Sequence, residues 1–451
     1  MSFDELRTAV AKLESTIAAG AIVPEATPAE IRGHLAARYD FSRPLALDDV
    51  TADVEQMLQA WQVHVTHPRY FGLFNPSVTP ASVVADTLVA MYNPQLATWR
   101  TSPAANEIER HTLGWVAGKF GFPDDARASF TSGGAEANLS AVIVALTRAF
   151  PAYGDGGLRR LPASPTMYLT GEAHHSFSKV AHMTGLGRDA VRTVATTGNL
   201  KMDLGDLTRR VAEDRAAGRA PFMVVGTAGT TGAGVIDPLS DLADFCRREG
   251  LWLHVDAAWG GAAAISPRLR RHLDGIERAD SITCDAHKWF SVPMGAGMFF
   301  CRHPDAVGEA FRVETSYMPG RTAMVHDPYT SSVQWSRRFI GLKLFLSLAE
   351  RGEAGYVEMI EHQARMGDVL RESLAQGGWR IVNATPLPVV CFTRDGLVPT
   401  SFLAGLHQRQ IAWMSEVRLA GAAPVLRACI TSFRTSESDI AWVVREMRRL
   451  V

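Results

Sequence analysis

The sequence runs to 451 residues, 47% hydrophobic and 21% charged, enough for a large core and two packed domains. A formal net charge of −1 leaves no electrostatic footprint for nucleic acid or an anionic membrane, so small molecules and other protein chains are the expected partners. Apolar stretches are broken by Gly, Pro or charge short of the roughly 18 residues of a membrane span, and "MSFDELRTAV" lacks the basic start of a signal peptide; the expected location is the cytoplasm.

In chain order, "FDELRTAVAKLESTI" repeats Leu6, Val10, Leu13 and Ile17 at helical spacing, a stripe expected to dock on a larger body or a partner subunit. A second helical region is expected to about residue 65, so residues 1–65 read as an N-terminal helical segment. From 66 to about 330, short apolar runs ("TMYLTG", "PFMVVGT", "LWLHVDAA", "SITCDA", "GAGMFFC") alternate with helical stretches, the pattern of an α/β domain around a mostly parallel sheet. Within it, "PAYGDGGLRRLPASP" reads as a flexible surface loop. Residues 331–451 open with a long helical pattern from about Trp335 and continue as a small α+β domain, with strands in "WRIVNA", "PVVCFTR" and "LRACITSF" and a closing helix "ESDIAWVVREMRRLV". The five cysteines form no CxxC pair and read as small core residues, with neither a disulfide framework nor a metal site.

Five segments carry chemistry. Lys288, in "TCDAHKWFSVPMGAG", ends the apolar run "DSITC" at the sheet edge where open α/β sheets bind ligands. An isolated lysine there would snorkel to solvent, whereas a buried one is expected to have a lowered pKa and to act as a Schiff-base amine. Asp256, in "LWLHVDAAWGG", is either a helix cap or a carboxylate paired with a cationic ring nitrogen, with Ala258 leaving room for a flat ring. "VVGTAGTTGAGVIDP" sets Thr227, Thr230 and Thr231 after another strand, with glycine spacing unlike that of a dinucleotide fold. In "ASFTSGGAEANLSAVIVAL", Ser132, Gly133, Gly134 and Ala135 would present backbone N–H groups to an anion at a helix N-terminus. The adjacent His174 and His175 have no carboxylate or cysteine at metal-ligand spacing, but an imidazole can stack on an aromatic ligand. Phosphate cup, imidazole, threonines, carboxylate and lysine together fit one ligand: pyridoxal 5′-phosphate.

With these motifs in order, the chain resembles the pyridoxal-phosphate-dependent group II amino acid decarboxylases, within the aspartate-aminotransferase-like fold. The likeness runs from "THPRYFGLFNPSV" through "TSGGAEAN", "AHHSFSK", "GTAGTTG", "HVDAAWGG" and "DAHKW" to "QWSRRFIGLKLF" and "LRACITSFRTSE". The resemblance implies a Lys288 aldimine, His287 at the phosphate, Asp256 on the pyridinium proton, Ala258 against one ring face and His174, rather than His175, stacked on the ring. Ser132, Gly133, Gly134, Ala135, Thr231 and Asp285 complete the cofactor contacts, and Tyr317 is the acid that reprotonates Cα. It further implies a homodimer with shared active sites, in which "NPQLATWRTSP" brings Gln95 and Ala97 into the neighbour's pocket, where aromatic amino acid enzymes have larger apolar side chains. Arg100 would favour an acidic substrate or lie exposed; Phe74, Asn75 and Trp289 are the expected pocket walls. The implied reaction is decarboxylation of an L-amino acid. Its rivals are C–C cleavage or aldehyde-forming deamination on the same scaffold, and a cofactor-binding scaffold without turnover.

Overall fold

The computed structural model describes residues 3–75, 77–313 and 326–450. Among the described residues the large sheet has seven strands: β1 (Arg127–Thr131), β2 (Pro165–Thr170), β3 (Val191–Val194), β4 (Ala220–Thr227), β5 (Trp252–Asp256), β6 (Ser281–Asp285) and β7 (Gly297–Cys301). They lie in the order β1-β7-β6-β5-β4-β2-β3. β2 to β6 run parallel, and β7 is antiparallel to both of its neighbours. β2, β5, β6 and β7 are buried along their whole length, because helices cover both sheet faces; this is why they read as unbroken apolar runs rather than alternating ones.

A second sheet of β8 (Arg380–Ile381), β9 (Val389–Thr393), β10 (Ser415–Val417) and β11 (Val425–Cys429) is wholly antiparallel. It packs on the second half of the helix Leu342–Gln376, which bends where Gly352 takes φ 64°. All five cysteines are free and buried in these cores.

The N-terminal region holds α1 (Phe3–Ala19), α2 (Pro28–Arg38) and α3 (Leu47–Trp61). The single region expected up to residue 65 is thus two helices. A turn separates them, in which Asp40 Oδ1 accepts from the Ser42 N–H at 3.0 Å and Phe41 sits at φ 57°. α1 packs against α4 (Pro80–Tyr92), and Glu14 pairs with Arg434, yet α2 and α3 bury no residue. "PAYGDGGLRRLPASP" is also more ordered than expected, with helical turns at Tyr153–Gly156 and Leu158–Arg160 and Tyr153 packed on the core.

A buried ion pair ties the start of the long helix to the large domain. Arg337 donates to both oxygens of Glu109, at 3.0 and 2.5 Å, and the Gly341 N–H donates to Glu109 Oε1 at 2.9 Å. Glu109 lies on α5 (Pro103–Phe120), so the carboxylate anchors the start of the long helix to the large domain's helical layer. Glu109→Leu leaves the guanidinium buried without its partner and should cost about 3–5 kcal/mol in urea unfolding.

Candidate active site

A cavity of about 250 Å³ opens at the carboxyl ends of the parallel strands. β1 leads into it through Ser132, Gly133, Gly134 and Ala135, and β2 through His174. β4 supplies Thr227, Gly229 and Thr231, β5 supplies Asp256, Ala258 and Trp259, and β6 supplies Asp285, His287 and Lys288. The topology thus brings every expected cofactor contact to one rim.

Lys288 Nζ lies 3.0 Å from Asp285 Oδ2 and 5.9 Å from the Phe74 ring centroid. The expectation of a lowered lysine pKa is corrected here. Burial does oppose the charge, but Asp285 and Asp256 outweigh it and the pKa is raised. His287 accepts from the Ala296 N–H through Nδ1 at 3.2 Å, which leaves Nε2 as its proton-bearing nitrogen, 3.8 Å from Asp285 Oδ2. Burial holds the pKa of His287 below its ordinary value.

Asp256 accepts from the Ala258 N–H through Oδ1 and from Asn138 Nδ2 through Oδ2, both at 3.1 Å. Asn138 was not picked out from sequence. It stands one turn after Gly134 on α6 (Gly134–Ala149), so its i, i+4 spacing from the phosphate turn was the available signal. His174 accepts from the Ser176 N–H through Nδ1 at 3.2 Å, and burial again lowers its pKa, favouring the neutral ring.

One member of the phosphate cup is corrected. The Ser132 N–H and hydroxyl both donate to Glu136 Oε2, at 2.8 and 2.7 Å, so Ser132 is already engaged by a carboxylate from the first turn of α6. Gln334 Nε2 donates to the same oxygen at 2.7 Å. Among the described residues the Gly134 and Ala135 N–H groups of that turn have no acceptor, while those of Glu136 and Ala137 bond to Gly133 O. A Cβ on Gly134 would lie 2.9 Å from Asp285 Oδ2, and one on Gly133 3.5 Å from His287 Cε1. Gly134→Ala should therefore weaken pyridoxal phosphate binding by about tenfold or more in equilibrium dialysis, as the new methyl must displace Asp285 or shift the turn.

Of the expected substrate walls, Phe74 lines the cavity and Asn75 Nδ2 contacts Met294 Sδ at 3.2 Å. Trp289 is corrected: it is fully buried and stacks at 5.4 Å behind Trp259, which is the tryptophan that borders the cavity. Gln95 Nε2 donates to Ser336 Oγ at 2.8 Å, Ala97 is buried, and neither reaches the cavity of its own chain. Arg100 is exposed, and Tyr317 lies outside the described residues. Arg427 of β11 was missed. It is buried 4.9 Å from the Phe74 ring centroid and donates to Thr231 O and Gly232 O at 3.0 and 3.2 Å.

The residues present fit pyridoxal phosphate: an amine beside a carboxylate, a second carboxylate, a glycine cradle that a side chain would fill, and two unspent helix N–H groups. Buried Thr227 Oγ1 and Asp285 Oδ1, which have no hydrogen-bond partner among the described residues, add polar capacity at the same rim. Fold and site together define a pyridoxal-phosphate-dependent enzyme of the aspartate-aminotransferase-like fold.

Comparison with known proteins gives the narrower class. Residues 30–394 match the model of the pyridoxal-dependent decarboxylase conserved domain. The chain is 28% identical over 401 residues to an aromatic-L-amino-acid decarboxylase from Bacillus atrophaeus, covering 86% of this chain and 82% of that one. It is 31% identical over 337 residues to an acidic amino acid decarboxylase from Bos taurus, covering 74% of this chain and 64% of that one. Mouse CSAD in its apo form superimposes with a TM-score of 0.91 at 25% identity, over 99% of this chain and 97% of that one. The chain belongs to the pyridoxal-dependent decarboxylase family. It is a carboxy-lyase, an amino acid decarboxylase whose cofactor is pyridoxal phosphate. Among the described residues no helix is long and apolar enough to cross a membrane, and no group of three or more His, Cys, Asp or Glu side chains could hold a metal ion.

Proposed function

We propose that the protein converts an L-amino acid to the corresponding amine and carbon dioxide, in the cytoplasm, as a homodimer with shared active sites. The observation that carries the reading is the convergence of Lys288, Asp256 and His174 with the Gly133–Gly134 turn on one cavity. Bound pyridoxal phosphate supplies an electron sink for the pair left when the bond from Cα to the carboxylate breaks. Lys288 would hold the cofactor through its amine, and Asp256 would keep a proton on the ring nitrogen. His174 and Ala258 would flank the ring, while His287, Asp285, Thr231 and the turn from Gly133 to Ala135 would line the phosphate end. Which bond breaks is then set by how the pocket orients the substrate.

The dimer is supported by the apolar surface left exposed around the N-terminal region. Phe41 is 89% exposed and Leu47 77%, and Tyr92 at the end of α4 is 81% exposed. In this reading residues 1–65 dock on the partner, 66–330 hold the cofactor and 331–451 form the smaller domain. Gln95, which is exposed, then reaches the other protomer's pocket, while Ala97, 1% exposed within its own chain, lies behind it.

Incubating the purified protein with a panel of amino acids, and measuring carbon dioxide, amine, aldehyde and ammonia, tests the reaction. Equal yields of carbon dioxide and amine are expected from at least one substrate; aldehyde and ammonia in place of amine would overturn decarboxylation to amine as the reaction. Tyr317 is proposed as the acid that delivers the proton to Cα. With Tyr317→Phe the amine-to-aldehyde ratio should drop by about tenfold or more, and an unchanged ratio would take Tyr317 out of the mechanism.

A further inference from the structure

Behind Asp256 runs a buried row of polar groups that the chemistry above does not use. Asn138 Oδ1 lies 3.2 Å from His254 Nε2, and His254 Nδ1 lies 2.8 Å from Ser281 Oγ. Trp252 Nε1 donates to that same Ser281 Oγ at 2.9 Å. Asn138, His254, Ser281 and Trp252 are all buried.

The direction of every bond in the row follows from its two ends. The Asp256 carboxylate can only accept when ionised, so Asn138 must turn Nδ2 towards it; the second Nδ2 hydrogen reaches Ser176 Oγ at 3.0 Å. Asn138 Oδ1 therefore faces His254, whose Nε2 must carry the proton. Thr283 Oγ1, 3.4 Å away, sits as a second acceptor beside it. His254 Nδ1 is then bare and accepts the Ser281 hydroxyl, which in turn accepts from Trp252, a side chain that can only donate. Burial pushes the His254 pKa down to about 4, in keeping with a neutral ring.

We propose that Asn138, backed by His254, Ser281 and Trp252, is the positioning residue of this site: a one-way hydrogen-bond row that fixes the Asp256 carboxylate as an oriented acceptor for the ring nitrogen of the cofactor. Every donor in the row points towards Asp256. Because the Ala258 N–H holds the other oxygen, the carboxylate needs no reorientation when the ring arrives. The inference rests on the assignment of Asp256 to the ring nitrogen.

The test is equilibrium binding of pyridoxal phosphate, and of the analogue whose ring nitrogen is replaced by carbon, to apo wild-type protein and to Asn138→Leu, His254→Phe and His254→Gln. Wild type should prefer the natural cofactor. Asn138→Leu and His254→Phe should weaken that cofactor by roughly tenfold to a hundredfold and leave the analogue within about twofold. His254→Gln, which keeps an N–H towards Asn138, should recover most of the loss. Equal weakening of both ligands would mean a merely structural role and overturn the proposal. If wild type binds both ligands equally, the Asp256 assignment fails first, and the inference with it. A measurement that needs no variant is nitrogen NMR of histidine-labelled wild type: His254 should be neutral with its proton on Nε2, and a proton on Nδ1 or a cationic ring would overturn the row.

Discussion

Lys288→Ala should abolish the covalent adduct that borohydride fixes between wild-type protein and pyridoxal phosphate, while turnover falls by about a thousandfold or more. Removing the side chain also takes away the cation 3.0 Å from Asp285, so the Asp285 carboxylate loses its closest partner. The fold should survive, because Lys288 contributes no buried apolar contact to the cores of the two sheets. Peptide mapping of the reduced protein reads the adduct, circular dichroism reads the fold, and carbon dioxide release reads turnover. An adduct at another lysine, or turnover at the parent rate, would remove Lys288 from its assigned place.

Asp256→Asn should lower turnover by roughly a hundred- to a thousandfold with the adduct at Lys288 retained. Both carboxylate oxygens accept from protein donors, the Ala258 N–H and Asn138 Nδ2. An amide satisfies only one of these, since its own NH2 must face the other donor. It also no longer offers a negative charge to a protonated ring. The variant should therefore bind the cofactor more weakly and shift its visible absorption, with far-ultraviolet circular dichroism unchanged. Unaltered turnover together with an unaltered spectrum would show that Asp256 does not serve the ring nitrogen.

The most legible parts of the site were those written at strand ends. Asp256 and Lys288 each close an apolar run, and a parallel sheet buried on both faces puts the ends of such runs on one rim. Asn138 and Arg427 were not legible in the same way. Their partners, Asp256 and the carbonyls of Thr231 and Gly232, are distant in sequence, so only the folded topology supplies the contact. The error on the Lys288 pKa came from counting burial without the carboxylate three residues earlier, which the turn after β6 folds back against the amine. Trp289 was misplaced because chain proximity to the lysine says nothing about which side of the turn its ring takes; it faces the core behind Trp259. In the N-terminal region, helical periodicity alone did not reveal the Asp40–Ser42 turn that divides α2 from α3.

The antiparallel strand β7 has a consequence of its own. Gly297 pairs with Asp285 of β6 on one side and with Thr131 of β1 on the other, so the residue leading to Lys288 and the residue leading to the glycine cradle share a single rung. A Cβ on Gly297 would collide with Thr131 Oγ1 and the Gly133 backbone, so only glycine lets the strands close at that rung. The span between the amine-bearing turn and the phosphate-facing turn is thereby a ruler two strand spacings long, about 10 Å, graduated by backbone hydrogen bonds rather than by loops. Heating should accordingly release the cofactor in the same transition that melts the sheet, with no earlier loosening of one end.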